Sequence, residues 1–328
     1  VLFRSRKAIK FCLALAMVGT MASVALADVT TSGWARFGLK SSTLADATGD
    51  NYSKMDMESS ALVAIASSME SDGWTATAEI DLLVGEDYAL AADWYSFTLA
   101  KDGMKLILDN DDLGNAGQGK SYAGYLDSYG KAGDHLGHGN TLVKVAMDMG
   151  LTAMIGINSE TGSGYTQQDL GVSYAGAAGD ISYAVVYQTY TKTIDEKDGG
   201  VPFSADDGAT GSDMGIGVGM AMGTMGFNFA YGTKAETPGG LLAVETAENI
   251  MQLGADIGLG DDTGITVVYD TTSQTVDGEN TGVMTNTYVA YKAPMLGCTL
   301  SAAYYSTTTT PEGGDALTTG AIGKIGRA

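Results

Sequence analysis

Two cysteines, two histidines and four prolines in a chain of 328 residues remove several kinds of protein from consideration. Cys12 falls inside the leader described below, which leaves Cys298 without an intramolecular partner. A disulfide-stapled exported domain is therefore excluded, and some other device must hold the mature chain together. Both histidines, His135 and His138, lie in one glycine-rich stretch, so no other segment supplies an imidazole base for an enzyme. Basic residues are also scarce: 18 against 39 acidic ones, a net charge of −21. Nucleic acid is excluded as a partner, because phosphate binding needs a basic face. Past the leader no apolar run approaches the roughly 20 residues that a membrane-spanning helix requires.

Glycine is abundant, at 46 residues, and charged residues make up 17 % of the chain. Ordinary domains carry about 7 % glycine and roughly 25 % charged residues. The combination points to many short strands and tight turns. At the start, Arg4, Arg6, Lys7 and Lys10 precede the apolar run from Phe11 to Val18, and Ala25-Leu26-Ala27 offers a small-x-small cleavage site. This is the pattern of a secretory signal peptide over 1–27, with a mature domain over 28–328. Removing four of the 18 basic residues and none of the 39 acidic ones leaves the mature part at −25.

From Asp28 onward the hydrophobic period is two. Trp74, Ala76, Ala78, Ile80 and Leu82 alternate with Thr75, Thr77, Glu79 and Asp81, giving one apolar and one acidic face. Met225, Phe227, Phe229 and Tyr231 likewise oppose Gly226, Asn228, Ala230 and Gly232. Asp72-Gly73 and Asp102-Gly103 are hairpin turn signals. The pattern predicts sixteen strands whose connections alternate long and short, with polar loops over 41–59, 192–211 and 273–283 among the long ones. An antiparallel transmembrane barrel has this alternation, short turns on one side and long loops on the other. Tyr183, Tyr187, Tyr231, Tyr269, Tyr304 and Tyr305 near strand ends suit an interfacial girdle. The competing reading is an exported non-channel β-rich protein, a surface or periplasmic β-sandwich or adhesin, which can show the same alternation.

The longest interruption is 110–140, with eight glycines, four aspartates (Asp111, Asp112, Asp127, Asp134) and both histidines. A segment of this length without its own periodicity is usually functional or disordered; here it is read as a functional loop. His135-x-x-His138 lacks the third protein ligand of a catalytic zinc site. The run from Asp109 to Gly114 has the acidic spacing of a calcium loop, but Leu113 takes a ligand position and Lys120 stands where the bidentate glutamate belongs. Asp109, Asp111 and Asp112 are thus at most adventitious calcium ligands, and no cofactor is expected. Gly215-x-Gly217-x-Gly219 is followed by no helical pattern; it leaves room on one strand face rather than cradling a phosphate.

Three segments, DVTTSGWARFGLK at Asp28, SMESDGWTATAEIDL at Ser68 and WYSFTLAKDGMKLILDNDD at Trp94, resemble the general diffusion porins of Gram-negative outer membranes, the alphaproteobacterial type in particular. The resemblance implies an all-β fold, a 16-stranded antiparallel transmembrane β-barrel, with a long third loop folded inward as a constriction. It implies an outer-membrane homotrimer, surrounded by lipid, that passes small hydrophilic solutes and ions. Strand parity turns Arg36, Lys105 and Lys144 inward, as it does Glu79 and Asp81. With the loop inside the barrel, these residues would face Asp111, Asp112, Asp127 and Asp134 across a pore constriction. Charged rings select ions by sign, and the excess of acids predicts cation preference. The chain departs from that family in ending Gly326-Arg327-Ala328 rather than in an aromatic, and in having only Arg36 and Arg327 as mature arginines.

Overall fold

The computed structural model describes residues 28–45, 51–84, 90–109, 142–160, 165–194, 208–239, 244–295, 298–311 and 317–327, with side chains over 29–33, 61–83, 95–109, 142–156, 167–193, 208–239, 244–294 and 300–310. Every regular element among them is a strand. In chain order these are β1 (Asp28–Ala45), β2 (Asn51–Ser71), β3 (Trp74–Val84), β4 (Leu90–Lys101), β5 (Met104–Asp109), β6 (Leu142–Met147), β7 (Leu151–Glu160) and β8 (Tyr165–Ala178). They continue with β9 (Ile181–Ile194), β10 (Thr210–Met222), β11 (Met225–Thr237), β12 (Thr246–Gly260), β13 (Thr263–Val276), β14 (Glu279–Met295), β15 (Cys298–Pro311) and β16 (Leu317–Arg327).

Each strand pairs antiparallel with its neighbours in sequence, and β1 pairs β16 from Arg36↔Arg327 to Thr43↔Gly320, closing one barrel. Closure leaves no sheet edge and pairs the backbone polar groups within the sheet, the condition for strands to cross hydrocarbon. Three of the hairpins turn on Asp-Gly pairs with both residues at positive φ: Asp72-Gly73 at 53° and 77°, Asp102-Gly103 at 50° and 78°, Asp277-Gly278 at 53° and 80°. That geometry matches the right-handed twist of the flanking strands, and aspartate and glycine tolerate it best. Asp261-Asp262 makes the same kind of turn, at 47° and 57°, without a glycine.

Two of the loops expected from the sequence are corrected. The polar stretch 41–59 is largely strand: β1 runs on to Ala45 and β2 begins at Asn51. The stretch 273–283 contains a two-residue turn, Asp277-Gly278, between β13 and β14. In both places the apolar alternation ends where the strands run past the hydrocarbon, but cross-strand pairing continues. Hydrophobicity marks the membrane-embedded part of a hairpin and not its full length. The gap between β5 and β6 remains the longest connection. The segment expected to be a leader, 1–27, lies outside the described residues.

The two faces of the wall are opposite in character to those of a soluble protein. Adjacent residues show it: Asp169 is 4 % exposed and Leu170 57 %, Gln252 0 % and Leu253 48 %, Asp270 2 % and Tyr269 39 %. Large apolar side chains line the outside, among them Val63, Leu106, Ile155, Val185, Ile216 and Phe227. The polar side chains turn inward. A β-sandwich buries its apolar faces between two sheets; a single closed sheet with its apolar face outermost is not a β-sandwich.

Candidate functional site: the lumen-facing polar wall

Strand parity places the chemistry. On β5 the outward residues are Met104, Leu106 and Leu108, which leaves Lys105, Ile107 and Asp109 inward. Asp109 is the last described residue before the long connection, and it pairs with Leu142, the first after it. Two residues along β6, Lys144 reaches diagonally to Asp109, with Nζ 2.9 Å from Oδ2 and both side chains buried. An ion pair therefore closes the root of the 110–141 segment. Gly156 stands between Leu142 and Asp169 in the register; a Cβ there would strike Leu142 Cδ2 and come 3.0 Å from Asp169 Oδ2.

The wall continues as a band of carboxylates and amides from β8 to β13. Gln167 Nε2 donates to Asp169 Oδ1 at 2.7 Å. Across the bare backbone of Gly211, the Tyr190 hydroxyl donates to Glu236 Oε1 at 3.1 Å, and Lys234 Nζ lies 3.1 Å from the same oxygen. Asp213 sits in register between Gln188 and Lys234. Gln274 Nε2 donates to Glu248 Oε1 at 2.6 Å, and Thr266 Oγ1 to Asp256 Oδ1 at 2.7 Å. On β13 to β15, Asp270, Asn286, Tyr305 and Thr307 form one buried network. Tyr305 is therefore a lumen residue and not part of an outer girdle; its parity follows Ala303 and Thr307. Tyr174 and Tyr183 do meet on the outside near the short turn, ring centroids 6.1 Å apart.

Of the residues chosen from sequence, Lys144 is inward and buried, and its partner is Asp109. This engages Asp109 Oδ2 with an ammonium group. Lys105 faces inward but is exposed, beside the Asp102-Gly103 turn and opposite Ala100 and Ala146. It lies four residues from Asp109, about 13 Å along the strand, at the short-turn mouth. Glu79 and Asp81 are half-buried on β3, opposite Ala66 and Ala64 of β2. Arg36 takes a register position opposite Ser60 and Arg327; its side chain lies outside the described set. Asp111, Asp112, Asp127, Asp134, His135 and His138 also lie outside the described residues. Among the described residues no group of three or more His, Cys, Asp or Glu is placed to hold a metal ion.

Sequence reasoning missed Asp169, Asp213 and Asp270 with their amide neighbours Gln188, Gln252 and Asn286. The signal was there: each aspartate has an outward apolar residue on one side, Leu170, Met214 and Tyr269.

No family model matches the sequence, and no curated protein matches it. Solved structures do match. The outer membrane channel DcaP of Acinetobacter baumannii superposes with a TM-score of 0.70 at 11 % identity, over 92 % of this chain and 96 % of that one. OmpT of Vibrio cholerae, an outer membrane protein, in its trimer form, gives 0.65 at 12 %, over 91 % and 98 %. The anion-selective porin from Comamonas acidovorans gives 0.63 at 10 %, over 92 % and 99 %. The chain has the fold of outer-membrane porins and channels.

Proposed function

We propose that this protein is a porin of a Gram-negative outer membrane, a channel for passive diffusion of small hydrophilic solutes and ions that favours cations. The observation that carries this reading is the inside-out closed barrel: apolar side chains suited to lipid on the outside, and a polar wall within. Such a barrel offers an enclosed polar route across a membrane and needs no nucleophile or base. Cation preference rests on the sign of the wall. Asp109, Asp169, Asp213, Asp256 and Asp270 face inward, and two of the inward lysines, Lys144 and Lys234, already face carboxylates. The Comamonas porin of the same fold is anion-selective, so the fold does not set the sign; the side chains do.

The segment 110–141 is the constriction in this reading. Its two ends are joined at Asp109 and Leu142 on the inward face of the wall, and inward side chains midway along the strands, among them Asp169, Gln188, Asp213, Gln252 and Asp270, are buried, which supports this reading. Asp111, Asp112, Asp127 and Asp134 then add to the acidic field. Association into a homotrimer is the expected assembly, supported by the trimer form of Vibrio OmpT. The test is single-channel recording in planar bilayers with the purified, heat-modifiable barrel. Discrete conductance steps are expected; a folded protein that gives none overturns the channel reading.

A further inference from the structure

Halfway round the closed barrel from Asp109, the wall carries another buried carboxylate. Asp270 stands on the inward face of β13, directly opposite Gln252 of β12 and Asn286 of β14, and is 2 % exposed. Its Oδ1 accepts a hydrogen bond from Asn286 Nδ2 at 2.7 Å. Asn286 is held from its other side, where Oδ1 accepts from the hydroxyls of Tyr305 and Thr307, both at 2.9 Å. A carboxylate only accepts, so the amide must turn its NH2 to Asp270 and its oxygen to the two hydroxyls. The chain Tyr305/Thr307 to Asn286 to Asp270 therefore fixes the carboxylate in one orientation.

The second oxygen, Asp270 Oδ2, is buried and has no hydrogen-bond partner among the described residues. An ionised carboxylate so placed calls for an opposite charge. The lysines on neighbouring inward positions do not supply it. Lys234 is held at 3.1 Å by Glu236, and its register row meets β13 at Gln274, four residues or about 13 Å from Asp270. Lys292 stands six residues along β14 from Asn286, about 20 Å away.

We propose that Asp270 Oδ2 is a binding station for a monovalent cation, an alkali metal or ammonium ion, passing through the lumen. The surroundings select the charge. Gln252, Asn286, Thr272 and Tyr288, the side chains around Asp270 in the register, are neutral, so among the described residues the wall offers a single negative charge there. Calcium sites gather several carboxylates and carbonyls around the ion. Asn286, Tyr305 and Thr307 are positioning residues that orient the carboxylate. The station rests on the channel reading and adds to it a dehydrated contact on the wall opposite the root of the 110–141 segment.

The experiment is single-channel conductance of the full barrel over a range of KCl concentrations, wild type against Asp270→Asn, which keeps the shape and removes the charge. A station predicts saturating conductance in the wild type. In D270N the half-saturating concentration rises by about tenfold or more, the factor expected when one charged ligand is lost. Conductance steps with the same concentration dependence in both proteins overturn the station and leave the channel reading intact. Wild type without steps overturns both. If D270N fails to give the heat-modifiable form, wild-type crystals soaked in RbCl decide: an anomalous peak at Asp270 Oδ2 supports the station, and an empty site overturns it.

Discussion

Replacing Lys144 by methionine removes one half of the buried ion pair at the root of the 110–141 segment and keeps most of the stem's volume. At 2.9 Å the bare attraction between the two charges is about 6 kcal/mol at an effective dielectric of 20. The cost of desolvating both groups offsets much of this, so the net value of the pair is small while the cost of breaking it is not. A buried carboxylate stripped of its partner costs about 3–5 kcal/mol. Both side chains are more than nine-tenths buried, so solvent screening gives little relief. K144M is therefore expected to destabilise the barrel by about 3–5 kcal/mol, measured by urea unfolding in lipid vesicles with tryptophan fluorescence. The double variant K144M/D109L removes both charges and is expected to recover about 2–3 kcal/mol relative to the sum of the singles. Ion selectivity gives an independent reading with opposite signs: K144M uncovers a negative charge and strengthens cation preference, while Asp109→Asn uncovers a positive one and weakens it. Additivity of the two singles within about 0.5 kcal/mol would refute the coupling.

Three further outcomes follow from the wall. Leu253 is 48 % exposed and faces outward; L253R should cost about 2–4 kcal/mol on a lipid face near the midplane, whereas on a water-exposed face it would be close to neutral, and vesicle refolding titrations distinguish the two. Gly211→Ala drives a methyl into the Tyr190 ring, so a loss of about 1–3 kcal/mol is expected from overpacking, with Tyr190→Ala in the same background restoring part of it. Asp262 adopts φ 57° without glycine's freedom; Asp262→Gly should stabilise the β12–β13 turn by up to about 1 kcal/mol, read as a higher urea midpoint, and a lower midpoint would contradict the turn assignment.

The sheet was legible in the sequence because the constraint is written locally. Alternation along Trp74–Leu82 and Met225–Tyr231, with Asp-Gly pairs at 72–73 and 102–103, states which residues face which way and where the chain reverses. Strand ends were less legible. Beyond the hydrocarbon nothing selects apolar residues, so the tips of β1, β2, β13 and β14 read as polar loop although they remain paired. Lys144 and Asp109 were visible singly, by parity. Their pairing depends on the register between β5 and β6 across a gap of more than thirty residues, which no local pattern encodes. For the same reason Lys105 and Lys144 looked equivalent, although one sits at the short-turn mouth and the other at the root of the long connection. The Asp270 network needed the register of β12 to β15, since Tyr305 and Asn286 carry no mark that they meet. Abundant outer tyrosines also concealed that Tyr305 is an inner one.

Central to this account is that the polar wall forms a conducting lumen whose acids govern ion choice. The zero-current potential of the wild-type barrel in a planar bilayer, under a KCl gradient, tests this most directly. The account predicts a potential with the sign of potassium permeating faster than chloride, decreasing as salt screens the wall charges. A potential of the opposite sign would contradict it.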